Sequence, residues 1–265
     1  MSTSVYDPTC YNRNMIDTVW VDDSHGLSLN EGPHPHRDNE NGVLFYLEYI
    51  LLKEAQGQDI SDDVAEFKHI VENIRTYDGD STRLLGLYDR GAGESLNPDK
   101  DSIRVISHDN LTAIAAFDAR YGDGSEADKI AKWGLLHGSL YDNAYPHKPR
   151  LKTIQWPTDL MFWAMSSGKW YYAPLVAAMF PFFALRCVLS DLGQPNDTSG
   201  KLLNFVRFAS YRDKGLLALP MKLLWKWHVA RMKSQYGDNW IHQIMVIYFQ
   251  NPNHPNRSLS DNVKF

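Results

Sequence analysis

Ser107-His108-Asp109-Asn110-Leu111-Thr112-Ala113-Ile114 opens the run on which the fold class turns, and it continues to Tyr121. Asp and Asn at such a point offer side-chain oxygens to the orphan amides of a first helical turn, each worth about 1 kcal/mol. The spacing predicts a helix over Asn110 to Tyr121. One helical hairpin earlier the chain reads His36-Arg37-Asp38-Asn39-Glu40-Asn41-Gly42-Val43. Both stretches put an imidazole or basic residue, then Asp-Asn, before a small residue and a branched apolar one. The period is one outer-plus-inner helix pair, and stacking such pairs places both Asp-Asn ends on one face. Tyr141-Asp142-Asn143 repeats the dipeptide, but no helical pattern follows it.

Working outward, apolar periodicity is helical almost throughout. Val43, Leu44, Leu47, Ile50 and Leu51 share one helix face, and Val64, Phe67, Ile70, Val71 and Ile74 share another, with Ser61 as its expected N-cap. Further helices are expected over Ser125 to His137, Thr158 to Met165, Ser199 to Tyr211, Gly215 to Tyr236 and Asp238 to Phe249. Ser125 and Asp128 resemble a capping box, and Pro220 marks a start or kink. Ser102 to Ile106 is the one strand candidate. The chain reads as all-α, about nine or ten helices paired as antiparallel hairpins in a single domain spanning residues 1–265. Residues 1–40 form an extended lead-in. Residues 86–109 form a loop long enough to be functional rather than connective.

Composition excludes several function classes. Lys and Arg total 27 against 32 Asp and Glu, so no basic field points to nucleic acid. Two cysteines, Cys10 and Cys187, cannot build a disulfide framework or a four-cysteine zinc site. The N-terminus lacks the basic and apolar regions of a signal peptide, so a cytoplasmic or virion-associated protein is expected. Trp170 to Leu185 carries no charge, but Pro174 and Pro181 divide it. It reads as a buried helical hairpin, with a new helix from Pro181 to Leu192, and membrane contact is not expected.

Site chemistry gathers where helix starts meet loops. Asp38, Glu40 and Asp109 are candidates for a general acid and base pair, with His36, Asn39, Tyr88, Asp89, Arg90, His108, Asn110, Tyr141 and Trp156 as substrate contacts. The same Asp-Asn pairs also suit plain helix capping. Trp163, Trp170, Tyr171 and Tyr145 add rings that suit sugar stacking or core packing. His25, His34, His36 and His108 invite a metal reading, but no HExxH or CxxC spacing accompanies them, and no metal or cofactor is expected. Asn97, Asp99 and Asp101 begin like a calcium loop, which fails at Ser102 and His108. Lys222, Lys226, Arg231 and Lys233, interleaved with Trp225 and Trp227, read as a solvated basic face.

The loop and helix start Gly86-Leu87-Tyr88-Asp89-Arg90 … Ser107-His108-Asp109-Asn110 resembles the lip of α/α-toroid glycan-active proteins, over roughly residues 31 to 122. In such glycoside hydrolases and polysaccharide lyases, acids sit at helix N-terminal ends around a groove. The resemblance implies an incomplete toroid-like array, a polysaccharide or glycan partner, and hydrolysis of a glycosidic bond by a carboxylate pair. The many tryptophans also resemble those of bacteriophage proteins. Two alternatives stand beside the hydrolase: a structural or adaptor subunit with protein partners in a larger, virion-type assembly, and a carbohydrate-binding module.

Overall fold

The computed structural model describes residues 42–55, 57–73, 108–137, 155–195, 198–212 and 218–238, together with 214, 240, 241, 243, 244 and 247. Among them are eight α-helices: α1 Gly42–Ala55, α2 Ser61–Asn73, α3 His108–Tyr121, α4 Ser125–His137, α5 Gln155–Ser166, α6 Ala173–Leu192, α7 Thr198–Ala209 and α8 Leu219–Tyr236. A 3₁₀ turn, Trp170–Tyr172, leads into α6. No strand occurs among the described residues. The chain is all-helical, as its periodicity predicts. The strand candidate at 102–106 lies outside the described residues, as do the lead-in and the loop up to Ser107.

The starts of α2 and α4 are set by carboxylates lying just before them. Asp59 Oδ1 accepts the Ser61 amide at 3.0 Å and the Ser61 hydroxyl at 2.7 Å, so Asp59 closes the α2 start and Ser61 is its first helical residue. Asp123 Oδ1 accepts the Ser125 amide at 2.9 Å, and Asp118 of α3 reaches across to the Ala127 amide at 2.9 Å. Both expected serine caps are therefore first-turn donors. Gly124 makes the α3–α4 turn possible, because its φ is +83° and a Cβ there would lie 2.3 Å from the Ser167 carbonyl oxygen.

Burial alternates along the chain. α3 is buried from Asn110 to Ala119 and α7 from Lys201 to Ala209, while α2, α4, α6 and α8 each keep an exposed face. α3 is central, packed against α1, α4, α5 and α7, and α1 also meets α7. Phe67 of α2 stacks on Phe117 of α3 at 4.1 Å, and Trp163 of α5 donates its indole N–H to Thr112 of α3 at 3.1 Å. The same-direction run of α3, α5 and α7 follows from two cavities. Their first residues line one, and their last residues with the following turns line the other. α1 runs the same way: Glu54, near its C-terminus, accepts from Arg120 Nε at 2.7 Å and Tyr121 at 2.9 Å, both ending α3, and from Arg212 beyond α7 at 3.4 Å.

The sequence expectation for Trp170 to Leu185 is corrected. There is no hairpin: α6 is one helix through Pro181, with Pro174 in its first turn. Nor is it buried. The Trp170–Leu192 segment has the length and apolarity of a membrane span, yet only 22% of its most apolar window is buried in the fold. Proline is tolerated here because Pro181 and Ala177, whose carbonyl it leaves unbonded, both lie on the solvent side. Pro220, by contrast, starts α8 as expected.

Candidate functional site

Three helix starts converge on a cavity of about 240 Å³ lined by His108 and Asp109 of α3, Thr158 and Asp159 of α5, and Ser199, Gly200, Leu203, Asn204 and Arg207 of α7, with Arg186 and Ser190 of α6 closing the side. The α7 residues recur at helical spacing, so one face of a helix that is otherwise packed in the core looks into the cavity. Gly200 sets how close α6 and α7 come, since a Cβ there would lie 2.1 Å from Ser190 Oγ. Below the roughly 300–1,000 Å³ of drug-sized sites, the cavity suits one ring or one substituent of a larger ligand.

Its charged groups are ordered in pairs. His108 Nε2 and Asp109 Oδ1 are 2.9 Å apart, both partly accessible. Arg207 donates through one terminal nitrogen to Asp159 Oδ1, and both side chains are more than nine-tenths buried. The Arg207 guanidinium lies 5.8 Å from the Phe162 ring and 5.7 Å from Phe183, which fixes its plane. Burial pushes the Asp159 carboxyl above the usual carboxylate range, against the pull of Arg207, His108 and Arg186 and with a push from Asp109. Two atoms of this pair, Asp159 Oδ2 and Arg207 Nε, have no hydrogen-bond partner among the described residues.

Beneath the cavity lies a buried polar chain. Asn204 Nδ2 donates to the Cys187 carbonyl at 3.0 Å and to Asp191 Oδ1 at 2.9 Å, and Asp191 Oδ2 lies 2.7 Å from His228 Nδ1. Asp191 and His228 are wholly buried, and the imidazole is ringed by Phe208, Trp225 and Trp240. This chain fixes the Asn204 amide where it enters the cavity wall. Cys187 is buried, and burial pushes its thiol up to about 12.

The other cavity, about 650 Å³ at the opposite helix ends, has its polar groups engaged. Asp118 holds the α4 amide, Lys214 donates to the Ala119 carbonyl and Tyr211 donates to Ser166 at 3.2 Å. The contrast in unsatisfied atoms selects the first cavity as the candidate site.

Of the residues singled out in sequence, His108 and Asp109 line this cavity. Asn110 is buried in α3 and is not among the residues that line the cavity. Trp156 falls in the first turn of α5, three positions before Asp159. His36, Asp38, Asn39, Glu40, Tyr88, Asp89, Arg90 and Tyr141 lie outside the described residues, as do Cys10, His25, His34, Tyr145 and the calcium-like stretch at 97–101. Trp163 is a core residue, whereas Trp170 is 85% exposed. Among the described residues no three His, Cys, Asp or Glu side chains converge to hold a metal.

Sequence reasoning missed Asp159, Arg186 and Arg207. Asp159 carries the logic applied to Asp109 one turn further, to a carboxylate that opens the second turn of a helix. The other two are lone cations inside apolar runs (Phe182 to Leu189 and Phe205 to Ala209), and a buried charge demands a partner. No family model, no curated protein and no solved structure matches the chain, so the fold and the cavity alone define what can be said of its class.

Proposed function

We propose that the chain is a glycan-active protein of the α/α-toroid type that hydrolyses a glycosidic bond with Asp109 and Asp159. The observation that carries the reading is the cavity at convergent helix N-termini. It holds two carboxylates in unlike settings, one partly open beside an imidazole and one buried against a guanidinium. Such a pair divides the labour of acid and base. Asp159, with its raised proton affinity, is the proton donor to the leaving oxygen; Asp109, oriented by His108, activates water or attacks the sugar. Asp159 takes the partner role that the sequence gave to Asp38 or Glu40.

The test is release of reducing ends from a panel of polysaccharides by the full chain. Turnover is expected, with loss of roughly a hundredfold or more in Asp109→Asn at unchanged helical circular dichroism. Asp159→Asn should lose it too, but it also replaces the buried hydrogen-bond partner of Arg207 and so tests the fold together with the chemistry. Asp109→Asn is therefore the deciding variant, and full activity in it overturns the reading. Binding without turnover assigns the cavity to a carbohydrate-binding module.

One observation favours the assembly-subunit reading instead. Phe182, Leu185, Leu189 and Leu192 form an exposed apolar stripe along α6, beside exposed Leu219 and Leu223 of α8. A subunit that docks through this stripe self-associates when isolated, which size-exclusion chromatography reads directly.

A further inference from the structure

The outer side of α6 is apolar without a break. Every exposed residue from Ala173 to Leu192 is alanine, proline, phenylalanine or leucine. Arg186, the one half-buried charge of the helix, lines the cavity, and Asp191, its one acid, is wholly buried against His228. A twenty-residue helix is about 30 Å long, so the stripe is extended as well as uniform. Trp170 stands exposed in the turn that leads into it. α8 packs alongside α6 and contains no acid. Its exposed Leu219 and Leu223 share a helical row with Lys222 and Lys226. Lys233 meets Asp238 at 3.6 Å, whereas Lys222 and Lys226 make no ion pair among the described residues.

This combination selects an occupant. Protein interfaces carry roughly one hydrogen bond per 100–200 Å², and the exposed side chains of α6 offer neither donor nor acceptor. A second copy docked through the same face sets one acid-free α8 against another. Acyl chains ask no hydrogen bond of a helix side, while anionic headgroups answer lysines and the headgroup level suits tryptophan. The expectation of no membrane contact rests on a buried hairpin, and α6 is neither buried nor a hairpin. Nor does α6 cross a bilayer in this fold, because crossing carries the Asp191–His228 pair into hydrocarbon.

We propose that α6 and α8 dock the protein on an anionic lipid bilayer. α6 lies in the interface plane with Phe182, Leu185, Leu189 and Leu192 among the acyl chains, and Lys222 and Lys226 meet the headgroups. The glycan reading plays no part in this, since none of these residues lines the cavity.

Co-sedimentation of the full chain with vesicles tests the proposal, comparing phosphatidylcholine alone with phosphatidylcholine mixed with phosphatidylserine, at low and at high salt. Binding to the mixed vesicles is expected at low salt and falls as salt screens the headgroups. Leu185→Gln together with Leu189→Gln is expected to weaken it roughly tenfold or more, and Lys222→Gln together with Lys226→Gln about tenfold, both at unchanged helical circular dichroism. Failure to bind the mixed vesicles, or binding that either pair of substitutions leaves unchanged, overturns the proposal. Equal binding to phosphatidylcholine alone overturns the anionic surface. Soluble oligomers that the leucine pair disperses, without vesicle binding, assign the stripe to a second copy and overturn the lipid.

Discussion

Asp128 sits in the first turn of α4, where its spacing from Ser125 suggested a capping role, yet its carboxylate works between elements. Oδ1 accepts from Tyr171 at 2.7 Å and Tyr172 at 3.0 Å, and Oδ2 from Lys132 at 2.6 Å. Burial pushes this carboxyl up, but the bonds from Lys132, Tyr171 and Tyr172 outweigh it and hold it below the usual range. A group whose proton affinity is lower folded than unfolded stabilises the fold above its ordinary pKa, and that contribution is lost as pH falls through the folded value. Asp128→Asn should cost about 1–3 kcal/mol at neutral pH, as expected for bonds to an ionised acceptor, and should flatten the acid limb of thermal stability. Parallel acid limbs in the two proteins count against this account. Asp159 has the opposite sign. Its raised carboxyl weakens the fold as pH climbs through the range between its unfolded and folded values, a cost borne at the candidate site.

At the scale of elements, Glu54 ties three helix ends together. It accepts from both Nε and a terminal nitrogen of Arg120, at 2.7 and 2.9 Å, and also binds Tyr121 and Arg212. Glu54→Gln keeps the shape but cannot answer the guanidinium fork with charge, and a loss of about 1–3 kcal/mol is expected in chemical denaturation. A midpoint unmoved by the substitution shows that the cluster is ornamental. Elements were also where the sequence spoke most clearly. Ser125 to His137 matches α4 end for end, because a half-buried helix carries a legible apolar stripe, whereas Val43, Leu47 and Ile50 announce α1 within a helix buried on almost every side. α6 was misread because its apolar residues go all round and Pro181 suggested an end. Neither fact tells which side faces water. His108 and Asp109, which line the cavity, stood out in the sequence because polar residues at a helix start advertise themselves. Arg207 did not, because its role depends on Asp159, a partner on another helix that only packing brings near.

At the scale of the whole molecule, the net charge of −5 hides a sharp partition. α8 carries Lys222, Lys226, Arg231 and Lys233 without an acid, next to the apolar stripe of α6. Leu185→Lys together with Leu189→Lys should leave helical content and the cavity unchanged while shifting any self-associated protein toward monomer in analytical ultracentrifugation. An unchanged distribution shows that the stripe does not drive association.

The parallel run of α1, α3, α5 and α7 separates two tasks in space. The Glu54 cluster and the Asp118 cap lock the C-terminal ends, while His108, Asp109 and Asp159 line the cavity toward the N-terminal ends of α3 and α5. Mutational drift can therefore proceed at the two ends independently. Substitutions around the cavity can retarget the ligand without loosening the clamp, and substitutions in the clamp can tune heat tolerance without altering what is recognised.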